Sequence, residues 1–599
     1  MPEETPVLRD GYVAYTGGVN AAATNPRELG ENQVASAVNC TVRGGWLACR
    51  DGFSMLDLVF ASGSDRATFE GGRFQGEAYY SGGPEPVMVL AIGGSLFSVN
   101  PASKTVTRHA VGGRRQPLSS TVDHVFLVER DGYLIAQDGV NRPVILQGTT
   151  ARRSKIDQSE VSIGTLMADG WGRLALSNIE RSRLYFSDHE LDPGSSSLKF
   201  TEQNDYYLAA RYFQPPKRIG RLIALAFIPF VDAPAGFGPM IAFGERASCT
   251  YDLSYPRIDG GWVNNNIERM TLLNVGACSH RCTIATDNDL IFRDQYGRLR
   301  TLSQTVREQE GRKNAQRIRR FDREVSPWIE RETAVLRAWL DATEHNDRFL
   351  FTALPRVLTL PSGVRDVAAS GMLAYNLDTL SNLRGAEEPA WDGLWTGPRP
   401  QAVTSGIFGG EPRLFVVSLD GDGIRRIYQQ VPGQPHDVTA GAAVKPVERQ
   451  VVTRWFDFKA PFVVKRLTSA LVRVGDIRGP LTIRGFVRTL DGAQWMPWFE
   501  HHGGTCRSLT FDGPNCAPVE SGPAEEPYLA LPAIPDKQSR FYRLQVLLVI
   551  TGWCELREFV LEASPTVQDG AQSNLVCTPP ETLPTPEPDC HNDLSYSLP

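Results

Sequence analysis

"HVFLVERDGYLIAQDG", His124 to Gly139, sets the pattern for most of the chain. Two short runs of apolar and β-branched residues flank Asp131-Gly132. Asp-Gly between two such runs is the strongest short-range signal for a β-hairpin, because a tight turn of matching twist needs residues that tolerate positive φ. The same design recurs on both sides. It appears in "PVMVLAIGGSLFSVN", "RLALSNIERSRLYFSD", "MIAFGERASCTYDL", "CTIATDNDLIFRDQYGRLRTL", "RFLFTAL" and "RLFVVSLDGDGIRRIYQQ". The strand pairs return at roughly 35–55 residues, the spacing of β-propeller blades. No Trp-Asp signature recurs, so the repeat is structural rather than literal. The expected fold is mainly β: a β-propeller over 67–435, with a set of stacked β-sandwiches as the alternative.

Other segments depart from this pattern. Residues 1–66 read as an N-terminal arm and hairpin. Near 305–332, "TVREQEGRKNAQRIRRFDREVSPWIERE" is rich in helix formers and charge. It places Ile318, Phe321 and Val325 on one face, and Pro327 should stop or restart the helix. This is a helical insertion between blades. "VPGQPHDVTAGAAVKPVERQ" reads as a linker. Beyond it, 446–565 carries longer alternating strands and is expected to form a β-sandwich-like domain. Residues 566–599 form an extended Pro-rich tail.

The chain has 599 residues, 62 Lys+Arg against 68 Asp+Glu, and a net charge of −6. It has no basic excess of the kind that marks nucleic acid as the main partner. Its apolar runs are about half the length of a membrane-crossing helix, so no stable membrane insertion is expected. The first residues show no secretory pattern, which implies synthesis in a cytoplasm.

Catalytic signatures are missing: there is no GxSxG, HExxH, GxxxxGK[ST] or dinucleotide fingerprint. The chain is read as no enzyme, with no cofactor and no metal. Asp420 and Asp422 in "SLDGDGIRR" have a calcium-like arrangement, but Arg425 and Arg426 follow where oxygen ligands are needed, so a hairpin turn is expected. "CSHRC", with Cys278, His280 and Cys282, has metal-like composition but no second ligand pair nearby. Arg317, Arg319, Arg320 and Arg323 alternate with acids and read as a solvated or subunit-facing helix. Cysteines fall in short-range couples, Cys40/Cys49, Cys506/Cys516 and Cys577/Cys590. Each could close a loop if the compartment is oxidising, with Cys506/Cys516 the best candidate.

"GGVN" followed by "NQVASAVNCTVRGGWLACRDGF", Asn32 to Phe53, holds Asn32, Gln33, Asn39, Arg43, Gly44, Gly45, Arg50, Gly52 and Phe53. Gly44-Gly45 reads as the turn of a hairpin that introduces the propeller. Cys40 and Cys49 either pair or stand as strand thiols beside that turn. Asn39-Cys40-Thr41 matches the glycosylation triplet but should stay unmodified without secretion. This module, "FDREVSPWI" and "TRWFDFKAPFVVKRLTSALVRVGDIRGPLTIRGFVRTLDGAQW" together resemble tail nozzle proteins of podophage type, the tail tubular protein B-like family of tailed bacteriophages. The resemblance touches both ends and one inner segment, and the Pro-rich tail departs from it. It implies a structural protein of a phage tail, located in the virion. Copies would form a closed ring, six in that family, around a channel crossed transiently by double-stranded DNA. Adaptor and fibre proteins would be its neighbours, and these residues of the module would serve assembly. A mildly acidic or neutral lumen would not retain passing DNA. The alternative is a tail-tip propeller that binds a host-surface receptor or glycan, for which "DGAQWMPWFEHHGG" offers aromatic faces. A cellular propeller enzyme is the third reading.

Overall fold

The computed structural model describes residues 7–23, 29–188, 198–200, 212–229, 237–253, 273–286, 289–313, 322–377, 389–489, 494–503, 528–531, 534 and 540–566. Among the described residues strands dominate, and they fall into seven sheets. The opening hairpin forms as its pattern dictates: Phe126–Arg130 pairs antiparallel with Tyr133–Gln137, and Arg130 faces Tyr133 across Asp131-Gly132.

One strand from each sheet lies in a series. Phe74–Tyr80 runs beside Phe126–Arg130, followed by Met167–Gly170, Leu222–Pro229, Thr283–Thr286, Ala342–Glu344 and Pro400–Phe408. Pro400–Phe408 lies beside Phe74–Tyr80 again. The arrangement is propeller-like. Period-2 alternation supplies the packing between sheets, because successive side chains point to opposite faces. In Val87–Ile92, Met88, Leu90 and Ile92 pack against Phe408, Phe415 and Val417 of the last sheet. Val89 and Ala91 pack against Leu134, Ala136 and Leu146 of the second. Each fully buried Leu, Ile or Phe of these wedges contributes about 1.5–3 kcal/mol.

The helical insertion lies between the fifth and sixth sheets. A helix spans Leu302–Lys313, and a short one spans Ser326–Ile329 with Pro327 in its first turn, where the missing N–H does no harm. Val325 and Ile329 are buried in the largest core. Ile318, Phe321, Arg317, Arg319 and Arg320 lie outside the described residues.

Three expectations about boundaries need correction. The expected linker is built of strands: His436–Thr439 and Ala443–Pro446 pair with each other, and Glu448–Val452 joins a larger sheet. Residues 1–66 are not a separate arm. The strand Gly52–Met55 lies inside the seventh sheet, between Arg425–Val431 and His436–Thr439, so that sheet draws on residues outside 67–435. Finally, the C-terminal strands do not form an isolated sheet. They continue the sixth sheet into a 14-stranded one. Its axis is a pair of long strands, Lys465–Thr489 and Leu544–Pro565, joined antiparallel with several register shifts.

The N-terminal segment explains that continuity. We label its strands β1 (Leu8–Tyr12), β2 (Ser36–Val38), β3 (Cys40–Arg43), β4 (Trp46–Cys49) and β5 (Gly52–Met55). β1 pairs with the C-terminal half of Leu544–Pro565, β4 touches it at Leu556, and Glu448–Val452 pairs with its N-terminal half. β2 lies between Glu448–Val452 and Ala390–Trp395 of the sixth sheet. A single core runs through all of it, from Ile284 and Phe351 to Val472, Ile550 and Phe559. The Pro-rich tail beyond Thr566 lies outside the described residues.

Candidate functional site

The stretch Asn32–Phe53 becomes a buried junction. β3 and β4 form the expected hairpin, with Gly44 (φ 56°) and Gly45 (φ 83°) in the left-handed region that a two-residue turn of this twist requires. The hairpin leads into β5 of the seventh sheet, and its apolar face, Cys40, Val42 and Leu47, belongs to a core shared by the sixth sheet and the C-terminal strands.

Two polar knots flank it. In the first, Arg50 is 1% exposed. It donates from Nη1 and Nη2 to Asp437 Oδ1 (3.0 Å) and Oδ2 (2.8 Å), from Nε to Asn39 Oδ1 (3.0 Å) and from Nη2 to the Thr396 carbonyl (2.5 Å). Its guanidinium also lies over the Phe53 ring at 5.1 Å. Asp437 Oδ1 accepts from the Phe53 amide (2.8 Å), and Asn39 Nδ2 donates to the Glu448 carbonyl (2.9 Å). In the second, Asp392 accepts from Thr41 Oγ1 (2.7 Å), the Val42 amide (2.8 Å), Arg348 Nε (3.2 Å) and Asn376 Nδ2 (3.3 Å). Buried ionic groups are tolerable when paired and hydrogen-bonded in this way. The void between the knots is only about 10 Å³, the room of a single water.

The remaining residues of the module play smaller parts. Gly52 is required by close approach, since a Cβ there would stand 2.0 Å from the His436 carbonyl oxygen. Arg43 is half exposed and faces Asp51 at 3.6 Å. Asn32 donates to Thr16 Oγ1 (2.7 Å), and the Gln33 carbonyl accepts from the Tyr12 hydroxyl (2.9 Å), fixing the chain before β2. Asn39 is buried with its amide engaged, so the glycosylation triplet is closed to modification. Cys40 and Cys49 face each other across the hairpin as free, buried thiols. Burial pushes both thiols above the usual range, with the Arg449 guanidinium pulling the other way. Cys506, Cys516, Cys577 and Cys590 lie outside the described residues.

The other sequence motifs resolve differently. Arg426 is the cation of the "SLDGDGIRR" turn, donating to Asp420 Oδ2 (2.8 Å) and to both oxygens of Asp422 (2.9 and 2.7 Å). Burial works against ionisation of Asp422, but these hydrogen bonds hold its carboxyl below the ordinary value. Among the described residues no group of three His, Cys, Asp or Glu side chains is placed to hold a metal. His280 of "CSHRC" turns instead to rings, 4.6 Å from Phe126 and 5.2 Å from His124. Of the tryptophans offered for glycan stacking, Trp498 is core and Trp495 lies under Arg488 at 4.5 Å.

A second cluster, not singled out from the sequence, sits at strands of the first, fifth, sixth and seventh sheets. Glu77 comes from Phe74–Tyr80 and Thr404 from Pro400–Phe408. Arg281 and Asp341 each stand just before the neighbouring strand of the fifth and sixth sheets. Thr404 Oγ1 donates to Glu77 Oε2. Asp341 accepts from the amides of Val403 (3.0 Å) and Ala342 (2.9 Å) and faces Arg281 Nη1 at 3.7 Å. Arg281 Nη2 donates to the carbonyls of Trp339 (2.8 Å) and Gln401 (3.1 Å). Burial, then the field of Asp341, pushes Glu77 up to about 8. Burial, then Arg281, Arg181 and Arg73, takes His124 down to about 3. Beside this cluster is a cavity of about 160 Å³, lined by Glu77, Phe126, Leu166, Met167, Leu225 and Arg281 among others. The signal that could have found it is a charged residue at an inward position of a β-rich run: "FQGEAYY" carries Glu77 amid aromatic residues.

No family model and no curated protein matches the chain. Solved structures give remote likenesses. The extracellular domain of the putative hybrid two-component system BT4673 from B. thetaiotaomicron has 11% identity and a TM-score of 0.31, over 63% of this chain and 39% of that one. YCF48 from Cyanidioschyzon merolae has 10% identity and a TM-score of 0.31, over 64% and 99%. U3-55K has 8% identity and a TM-score of 0.31, over 58% and 92%. Likeness at this level carries no argument about what the chain does.

Proposed function

We propose that this chain is a structural subunit of a phage tail, of the nozzle type, that closes with identical copies into a ring around a DNA-ejection channel. The observation that carries the reading is the fate of the Asn32–Phe53 module. Its polar side chains face one another and the strands they bind together, as Arg50, Asn39 and Asp437 do, rather than a substrate-sized space. Such a module suits a rigid building part. The side-by-side order of the seven strands supports reading the sheets as a closed seven-bladed propeller, with β5 as the strand that completes the last blade. A ring of identical chains needs heterologous faces on each copy, and a body fastened at both ends keeps those faces in register. The C-terminal ribbon, with its sandwich packing, would then extend that body, and adaptor and fibre proteins would be the neighbours.

Electron microscopy of the purified protein tests this reading. Rings with a central channel, six-fold in the family the sequence resembles, are the expected result. Monomers that bind host cells would overturn it in favour of a receptor-binding tip, and monomers with hydrolytic activity would overturn both.

A further inference from the structure

The cavity beside Glu77 measures about 160 Å³, and Glu77, His280 and Arg281 stand in its wall among Phe126, Met167 and Leu225. Arg281 is the cation of that wall. Its side chain is 9% exposed and lies over the Phe74 ring at 5.3 Å. Nη2 is committed to the carbonyls of Trp339 and Gln401. Nε and Nη1 are buried and make no hydrogen bond, and Nη1 only faces Asp341 at 3.7 Å. A buried donor left without an acceptor is costly, more so on a charged group.

Neighbouring cations repeat the shortage. Arg181 lies over the Phe126 ring at 5.0 Å and Arg73 over Trp339 at 5.4 Å, and each has a buried Nε without a hydrogen-bond partner. Arg73 reaches Asp123 at 2.6 Å, but that carboxylate is 62% exposed. Arg181 makes no ion pair among the described residues, and burial, then Arg221, lowers it to about 10. His124 and His280, with ring centres 5.2 Å apart, share this field. Burial, then His124, Arg281 and Arg181, holds His280 well below the usual imidazole range. Asp341 is answered by the amides of Val403 and Ala342 as well as by Arg281. Glu77 carries no charge at pH 7, since burial and then Asp341 raise it to about 8, against the pull of the Thr404 hydroxyl and Arg281. A protonated carboxyl is a donor, and so is one nitrogen of a neutral imidazole. The cavity therefore offers donors and a positive field, which call for an acceptor with negative charge.

We propose that this cavity binds a small oxyanion, a carboxylate or a tetrahedral ion of the sulfate type, held by Arg281 with the Glu77 carboxyl and His280 as further donors. Binding is linked to a proton. Above about pH 8 Glu77 ionises, ceases to donate and places a second negative charge beside Asp341, so the oxyanion is released. The site is made of this chain's own residues, whether or not copies close into a ring.

Calorimetric titration of the full chain in a buffer free of other oxyanions tests it, with sodium sulfate and sodium acetate as probes. Neither ion changes charge between pH 7 and pH 9. At least one is expected to bind, one per chain, at pH 7 and about tenfold or more weaker at pH 9. The tighter of the two tells a tetrahedral ion from a carboxylate. Arg281→Met should weaken binding at pH 7 about tenfold or more. His280→Phe, which keeps a ring in place and removes a donor, should weaken it severalfold. Glu77→Gln, whose amide still donates, should hold the same affinity at pH 7 and pH 9. No saturable heat with either ion, unchanged affinity in Arg281→Met, or a loss at pH 9 that persists in Glu77→Gln would overturn the proposal. If Arg281→Met does not fold, His280→Phe and the pH dependence of Glu77→Gln decide.

Discussion

The junction at Arg50 and the cluster at Glu77 both draw charged side chains inside the protein, yet they are built to opposite ends. At the junction, every side chain of the two knots is answered by another, and the space left is about 10 Å³. At the Glu77 cluster, Arg281 Nε and Nη1 are buried without a hydrogen-bond partner and the space beside them is about 160 Å³. The first arrangement fixes backbone segments far apart in sequence. The second leaves interaction capacity open. A dense sequence motif here marks fastening, and the open chemistry arises from residues scattered among separate strands.

The largest expected effect comes from breaking the junction. Arg50→Ala leaves Asp437 buried without its cation, a loss of about 3–5 kcal/mol that urea unfolding would measure. Replacing both partners, Arg50→Met with Asp437→Leu, should restore much of that stability, because no uncompensated charge remains. Gly52→Ala should rank next. Its Cβ would press on the His436 carbonyl and push β5 away from its neighbour, at about 1–3 kcal/mol. The Glu77 cluster should respond to pH instead. Glu77 has its folded value raised to about 8, so the folded state holds a proton that the unfolded chain releases near 4.5. Its ionisation therefore lowers stability as pH rises from about 5 through 8. Glu77→Gln should raise the Tm at pH 9 relative to the parent and leave it nearly unchanged at pH 4. The smallest effect belongs to Arg43→Ala. That guanidinium is 53% exposed, and its loss should stay within about 0.5 kcal/mol.

The sequence makes local structure readable and leaves pairing over long distances hidden. Hairpins at Asp131-Gly132 and Gly44-Gly45 follow from alternation and turn chemistry, which act within about ten residues. The helical insertion follows from its composition, with Pro327 at a restart. The edge on which a strand lands is a different matter. β5 pairs with Arg425–Val431, and β1 pairs with the strand that ends at Pro565, choices fixed by shared cores rather than by local pattern. For that reason "VPGQPHDVTAGAAVKPVERQ" reads as a linker although Asp437 within it is the partner of Arg50. Asn39 and Arg50 are legible as residues of interest, but their role is not, since Thr396, Asp437 and Glu448, which they bind, lie 346 to 409 positions away. The Glu77 cluster is hidden for the same reason, with Glu77 and Thr404 on two sheets and Arg281 and Asp341 just before strands of two others.

The central claim is that the N-terminal segment fastens the propeller-like sheets and the C-terminal strands into one body. Scanning calorimetry of the full chain, beside the Arg50→Ala variant, tests it most directly. The account predicts one cooperative transition in the parent and, in the variant, a lower transition that separates into two. Two transitions in the parent, or a variant that melts at the parent's temperature in a single step, would contradict it.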